Sequence, residues 1–180
     1  MNSMQKEDHT HEAKKFALYF RNFIFGVEDS LVSTVGLLSG IAIAGVPRGT
    51  IFLTGMVLIF VEGFSMGVGS FLSEDSGEAV IHQKDASDHI TIRAAVIMFV
   101  SYFLAGFVPL APYLLFETQL GFPVSILFSL VALFLLGLVA AHVSARNYLK
   151  TALKMLLMGG LAIALGVIVA LLLSNYHLAI

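Results

Sequence analysis

The stretch VSILFSLVALFLLGLVAAHV, Val124 to Val143, is 20 residues long and contains no Asp, Glu, Lys or Arg. At about 1.5 Å of rise per residue, a helix of that length crosses a hydrocarbon core about 30 Å thick. Four further predominantly apolar runs flank it: Phe23 to Ala44, Ile51 to Leu72, Ala94 to Phe116 and Met155 to Leu173, of 22, 22, 23 and 19 residues. Together they predict an all-α membrane protein with five transmembrane helices, because lipid offers backbone N–H and C=O groups no partner and a helix satisfies them internally. The composition agrees. The 180-residue chain is 58% apolar and 12% charged, against about a quarter charged in soluble domains.

Outside the spans little is left: an N-terminal arm over 1–22, a hydrophilic segment over 73–93 and a tail over 174–180. None is large enough for a separate soluble catalytic domain. No Ser–His pair or histidine metal motif is placed within the spans either, so an enzyme is not expected. A net charge of −2 and a pI near 6.3 provide no basic surface for nucleic acid. The absence of cysteine removes disulfides, thiolate metal sites and cysteine nucleophiles together. Met1 to Lys15 mixes Glu7, Asp8, His9, His11 and Glu12 with its lysines and has no apolar core, so the first span is expected to stay rather than be cleaved as a signal peptide. The aromatic segment Phe16 to Asn22 suits the membrane interface. Pro109 and Pro112 either kink the outer end of the third helix or mark its exit.

The basic residues give an orientation. Lys6, Lys14, Lys15, Arg21, Lys84, Arg93, Arg146, Lys150 and Lys154 fall on one side of the alternating loops, and Arg48 alone falls on the other. The positive-inside rule places the N-terminus in the cytoplasm and the C-terminus opposite.

Glu28, Asp29 and Glu62 stand where charge is costly, a few kcal/mol for a carboxylate at the centre of a span. Asp29 lies about 12 Å into the membrane beyond Arg21, and Glu62, on the returning helix, roughly 12 to 15 Å from the same side. The acids share a level. Helical spacing sets Asp29, Ser33, Gly36 and Gly40 on one stripe, and Glu62, Met66, Gly69 and Ser73 on another. The pairs Gly36/Gly40 and Gly63/Gly67 permit close helix approach, which predicts that these helices pack on each other or on a symmetry mate. No Lys or Arg within the membrane can neutralise the acids, so they hold protons or bind a cation. Glu28 and Asp29 could alternatively sit in interfacial water, and Met66 alone could be a core filler. The segment carrying Glu74, Asp75, Glu78, His82, Asp85, Asp88 and His89 reads first as solvated. Glu78/His82 and Asp85/His89 are nevertheless i, i+4 pairs able to chelate a divalent metal weakly, which makes Glu74, Glu78, His82, Asp85 and His89 an accessory capture set. His9, His11 and Glu12 invite the same reading, and His142 fits interfacial snorkelling.

Three motifs in order carry a family resemblance. Arg21-Asn-Phe-Ile-Phe-Gly-Val-Glu-Asp29-Ser-Leu, with the later Gly40, resembles the first helix of the vacuolar iron transporter family, whose pattern is Arg, then Gly-Val-x-Asp-Gly-Leu and a later Gly. Ser65-Met-Gly-Val-Gly-Ser-Phe-Leu-Ser73 is similar to that family's Ser-Met-x-x-Gly-Glu-Tyr-Leu-Ser, and Gly106-x-x-Pro-Leu-x-Pro-Tyr113 to a third element. The resemblance spans Arg21 to Leu173. It implies a homodimer of five-helix subunits whose first helices line a path for Fe²⁺ or Mn²⁺ out of the cytosol in exchange for protons. It implies metal ligands at Asp29 and Met66, with no permanent cofactor. The chain looks like a short, bacterial-type member: Ser30 replaces the usual Gly, Ser70 stands where Glu is common, and only 21 residues, Ser73 to Arg93, occupy the place of a large cytoplasmic metal-binding domain. Glu28 and Glu62 are additions to the pattern. A site of Asp29, Glu62 and Met66 would lean toward transition metals, since a thioether is a ligand that Mg²⁺ and Ca²⁺ do not favour. The implied location is the cell membrane of a bacterium or archaeon, or a vacuole-like membrane in a eukaryote. Two other classes stay open: a proton-coupled or passive carrier of another cation or small solute, and a non-transporting membrane scaffold.

The orientation is testable because the chain has no native cysteine. Cysteines at Ser76 and Thr151 are expected to react with an impermeant maleimide from the cytoplasmic side, and those at Thr118 and Asn175 only from the other; the reverse pattern overturns the topology.

Overall fold

A computed structural model describes residues 3–82 and 88–175, and every regular element in them is helical: α1 Ser3–Ile43, α2 Arg48–His82, α3 Asp88–Leu115, α4 Thr118–Val143 and α5 Tyr148–Asn175. All five contain stretches long and apolar enough to cross a membrane, namely Glu12–Ile43, Arg48–Gly77, His89–Leu115, Thr118–Val143 and Tyr148–Ser174. This is an integral, multi-pass membrane protein.

The helices outrun the apolar spans that announce them. At 41 and 35 residues, α1 and α2 are about 60 and 50 Å long and must project beyond the hydrocarbon. The segment 73–93 is therefore no plain loop, being helical over 73–82 and 88–93, and most of the arm is helix as well. The physical reason is that hydropathy marks only the part of a helix that needs lipid. Beyond it, Ala, Lys and Glu sustain the same backbone, helped by an ion pair between Lys15 Nζ and Glu12 Oε1 at 2.7 Å. Pro109 and Pro112 do not mark an exit either. Both are fully buried inside α3, which runs on to Leu115.

Short turns make consecutive helices antiparallel neighbours. Gly45, at φ 74°, closes α1, and Pro47 then opens α2 by accepting from the N–H groups of Thr50 and Ile51. Ala145 plays the glycine's part after α4, at φ 50°, while Arg146 N–H reaches back to Ala141 O at 3.0 Å. Asn147 caps α5 by accepting from the Lys150 N–H at 3.0 Å.

In the bundle, α1 touches all four other helices, α2 lies chiefly on α3, and α4 pairs with α5. Leu31 and Val35 of α1 meet Ala105, Leu133 and Ile163 in one apolar core, and Leu38 meets Ile51, Ile59, Leu110 and Tyr113 in another. Within the subunit the glycine pairs seat α1 and α2 on other helices rather than on each other. A Cβ at Gly63 would lie 3.4 Å from the Tyr102 ring, and one at Gly67 3.1 Å from Phe99 Cβ, so that stripe seats α2 on α3. Gly40 instead faces Ala170 Cβ at 3.6 Å, and a Cβ at Gly166 would lie 3.4 Å from Gly36 Cα, so the other stripe seats α1 on α5. Spacing identifies a small-residue face but not its partner.

The closest approach of one helix backbone to another at a glycine is between α4 and α5, where a Cβ on Gly137 would come within 2.5 Å of Ala152 Cα. Backbone cannot yield there, so Gly137→Ala is expected to destabilise the fold by about 1–3 kcal/mol. Gly36→Ala, with open space around it, should show little loss within the subunit. Thermal unfolding in detergent separates the two.

Candidate functional site

Asp29 and Glu62 are close enough for each to act on the other's charge, and both act on the hydroxyl of Tyr102, a fully buried residue of α3. Three contacts hold that tyrosine. Ser30 Oγ donates to its carbonyl oxygen at 2.6 Å, its hydroxyl is bonded to Ser33 Oγ at 2.7 Å, and Gly63 leaves room for the ring edge. Thr34, also buried, lies beside the same hydroxyl. Hydroxyls at Ser30, Ser33 and Thr34 thus follow the acid for one turn, which brings oxygen donors into a helix otherwise lined by Leu31 and Val35. Glu28 is half-buried next to Asp29.

Met66 stands one turn from Glu62 on α2 but lines a separate cavity of about 630 Å³. Neither Asp29 nor Glu62 lines it. The cavity walls are Asn22 and Phe25 of α1, Ser65, Met66, Gly69 and Ser70 of α2, and Met98 of α3. At its rim Arg21 pairs with Glu74, joining the projecting ends of α1 and α2. Beneath the rim Ser70 Oγ donates to Asn22 Oδ1 at 2.6 Å, a buried bond, and Asn22 Nδ2 donates in turn to Leu18 O at 3.0 Å. Ser70, at the position where the family motif commonly has Glu, therefore closes a polar contact between the two helices.

The other expected donors are scattered. Glu74 belongs to the cavity rim through Arg21 rather than to a histidine cluster, and His89 is exposed. Glu78, His82 and Asp85, like His9 and His11, lie outside the residues whose side chains are described. His142 is exposed and bonded through Nδ1 to the Tyr148 hydroxyl at 2.9 Å. Among the described residues no three of His, Cys, Asp and Glu gather into a metal site. A metal held within one subunit would need the phenol, hydroxyl, amide and thioether groups as well.

Tyr102, Met98 and Asn22 are the members that sequence reasoning missed. Tyr102 follows Ser101 in the middle of an apolar span, a polar pair that could have signalled an inward face. Met98 looks like any core methionine.

A family model for the VIT family matches residues 20–89 and 78–171, a continuous run through all five helices. The chain belongs to the VIT family. VIT-family proteins are transporters rather than enzymes, and membership points to the transport of metal ions. No match to the chain is found among curated proteins. The Gly-Val-x-Asp stretch and the Ser-Met stretch, which carry the VIT-family resemblance, are the stretches that supply Asp29 to the carboxylate pair and Met66 to the cavity.

The tyrosine's two roles can be separated. Tyr102→Phe removes the hydroxyl's bond to Ser33 and should cost about 1 kcal/mol. Tyr102→Ala also empties the seat on α1 and α2 and should cost about 3–5 kcal/mol. Unfolding midpoints in detergent measure both, and equal losses would contradict the clamped geometry.

Proposed function

We propose that this protein exports Fe²⁺ and/or Mn²⁺ from the cytosol in exchange for protons, as a homodimer. The observation that carries the reading is that Asp29 and Glu62, from two different helices, lie within electrostatic range of each other and of a buried phenol, without a basic partner. Among the described residues the ion pairs are Lys15–Glu12 and Arg21–Glu74, and neither includes these acids. An ionised carboxylate at that depth has to be neutralised by a cation. A proton and a metal ion both qualify, and they compete for the same oxygens.

Exchange follows from that competition. A divalent ion arriving at protonated acids displaces their protons, because its charge stabilises the ionised ligands. When the site opens to the other side and the metal leaves, protons take its place, and the return step carries them inward. Metal outward and protons inward thus use one set of groups. The preference for a transition metal rests on Met66, whose thioether offers a soft donor in the cavity one turn from Glu62, ahead of oxygen ligands that alone would accept Mg²⁺ or Ca²⁺.

The homodimer answers the shortage of ligands. A hard divalent ion takes about six donors, whereas among the described residues of one subunit no three of His, Cys, Asp and Glu gather into a metal site. A twofold partner setting a second α1 opposite the first would double the oxygens.

Proteoliposomes loaded with a pH-sensitive dye test this. Asp29→Asn keeps the shape but cannot ionise, and is expected to abolish both metal uptake and metal-dependent proton movement. Met66→Leu is expected to spare proton movement while narrowing the preference for Fe²⁺ or Mn²⁺ over Mg²⁺. Normal uptake by Asp29→Asn with unchanged pH dependence would sink the shared-site mechanism, and proton movement indifferent to transition metals would favour a carrier of another solute.

A further inference from the structure

We propose that the outward stripe of α5 headed by Lys150 and Lys154 is a docking site for one anionic phospholipid, its phosphate held between the two ammonium groups and an acyl chain laid along Leu157, Leu161 and Leu165. The inference is independent of the ion carried, and it assigns a partner to the span that the bundle covers least.

Position is the first argument. Steps of four, three, four and four residues keep Lys150, Lys154, Leu157, Leu161 and Leu165 within an arc of about 80° on the helix. Ala152, two residues from each lysine, is on the opposite face and is fully buried against Gly137 of α4. The stripe therefore looks outward: both lysines are exposed, and Leu157, Leu161 and Leu165 are 68%, 60% and 55% exposed. Depth matches a phospholipid. With the run Met155 to Leu173 filling the hydrocarbon, Lys154 stands about 1.5 Å and Lys150 about 7.5 Å beyond its edge at helical rise. The headgroup layer is about 5–7 Å deep, so both ammonium groups are within reach of the lipid phosphates while the leucines lie among the acyl chains. Tyr148, bonded to His142, is an aromatic side chain at the same boundary.

Charge is the second. Glu117 is the last acid in the sequence, so Arg146, Lys150 and Lys154 stand in a stretch with no Asp or Glu from 118 to 180. Among the described residues neither lysine belongs to an ion pair, whereas Lys15 and Arg21 meet Glu12 and Glu74. Two cations one helical turn apart repel each other, and a phosphate between them turns that repulsion into attraction. The sidedness of the basic residues would be met by cations on any face of α5; these two stand on the face turned to lipid, at the head of an aliphatic track. A zwitterionic headgroup brings its own cation against the lysines, so a lipid of net negative charge is the better fit. On the side expected to be cytoplasmic such lipids are concentrated. A free phosphate would satisfy the lysines and leave the leucines unused. A lipid held here also fixes the depth of α5, whose inner face seats Gly166 on Gly36 of α1.

The test is native mass spectrometry of the purified full-length protein in detergent, titrated with dioleoylphosphatidylglycerol or dioleoylphosphatidylcholine. The unaltered protein should retain the anionic lipid in preference, and equal retention of the two overturns the proposal. Replacing both lysines, Lys150→Gln with Lys154→Gln, should lower phosphatidylglycerol affinity by about tenfold to thirtyfold, the weight of two cations near an anionic surface. The lysines are exposed, so the fold should persist, and Lys150→Arg with Lys154→Arg should keep the preference. Arg93→Gln removes a cation from α3 on the same side and should change little; a comparable fall there means diffuse attraction and overturns the assignment to α5. Displacement of the lipid by an excess of glycerol phosphate overturns the role of the leucines. A change of oligomeric state in the double glutamine variant makes this face a contact between copies of the chain and overturns the lipid reading. The readout is lipid retention, so it stays distinct from failure of the exchange mechanism, which is judged by transport.

Discussion

The polar interior of this protein depends on the seam between α1 and α3. Lipid tails are as apolar as leucine, so no hydrophobic force draws two membrane helices together, and close packing with internal hydrogen bonds has to do it. Ser30 supplies the bond, to the carbonyl of Tyr102. Gly26 and Gly106 supply the closeness, each with atoms of the opposite helix where a side chain would stand. The seam sets Tyr102 beside Asp29 and Met98 against Gly26, and α2 is then laid on α3 through Gly63 and Gly67. Glu62 comes within electrostatic range of Asp29 as a result of two packings, neither of which joins α1 to α2 along its length.

The fold was legible in the sequence because the constraint behind it is one-dimensional. A run such as Val124 to Val143 either is or is not long enough to cross lipid, and no partner needs to be known. The level shared by Asp29 and Glu62 was legible for the same reason, since depth is residue count multiplied by rise. Helix ends were less so, because the projecting parts of α1 and α2 meet water and need no apolar signature. The partners of polar side chains were hidden. Ser30 and Ser70 look like departures from a motif until Tyr102 and Asn22, 72 and 48 residues away, are found in hydrogen-bond contact. Nothing in their local sequence specifies those distances in the chain. The glycine pairs show the same limit.

No backbone break interrupts α1 or α2. Many membrane carriers unwind a helix at the substrate site, which lets one half of the helix swing while the other stays in place. Here Asp29 belongs to the same unbroken rod as Arg21 and Gly40, and Glu62 to the same rod as Glu74. Neither acid can travel unless its whole rod rocks or slides, and α3, where Pro109 and Pro112 remove two backbone donors, is the place in this wall with a built-in point of compliance. In the proposed exchange the acids would therefore move by rocking of whole helices rather than by a hinge, about a seam that Ser30 bonds to α3.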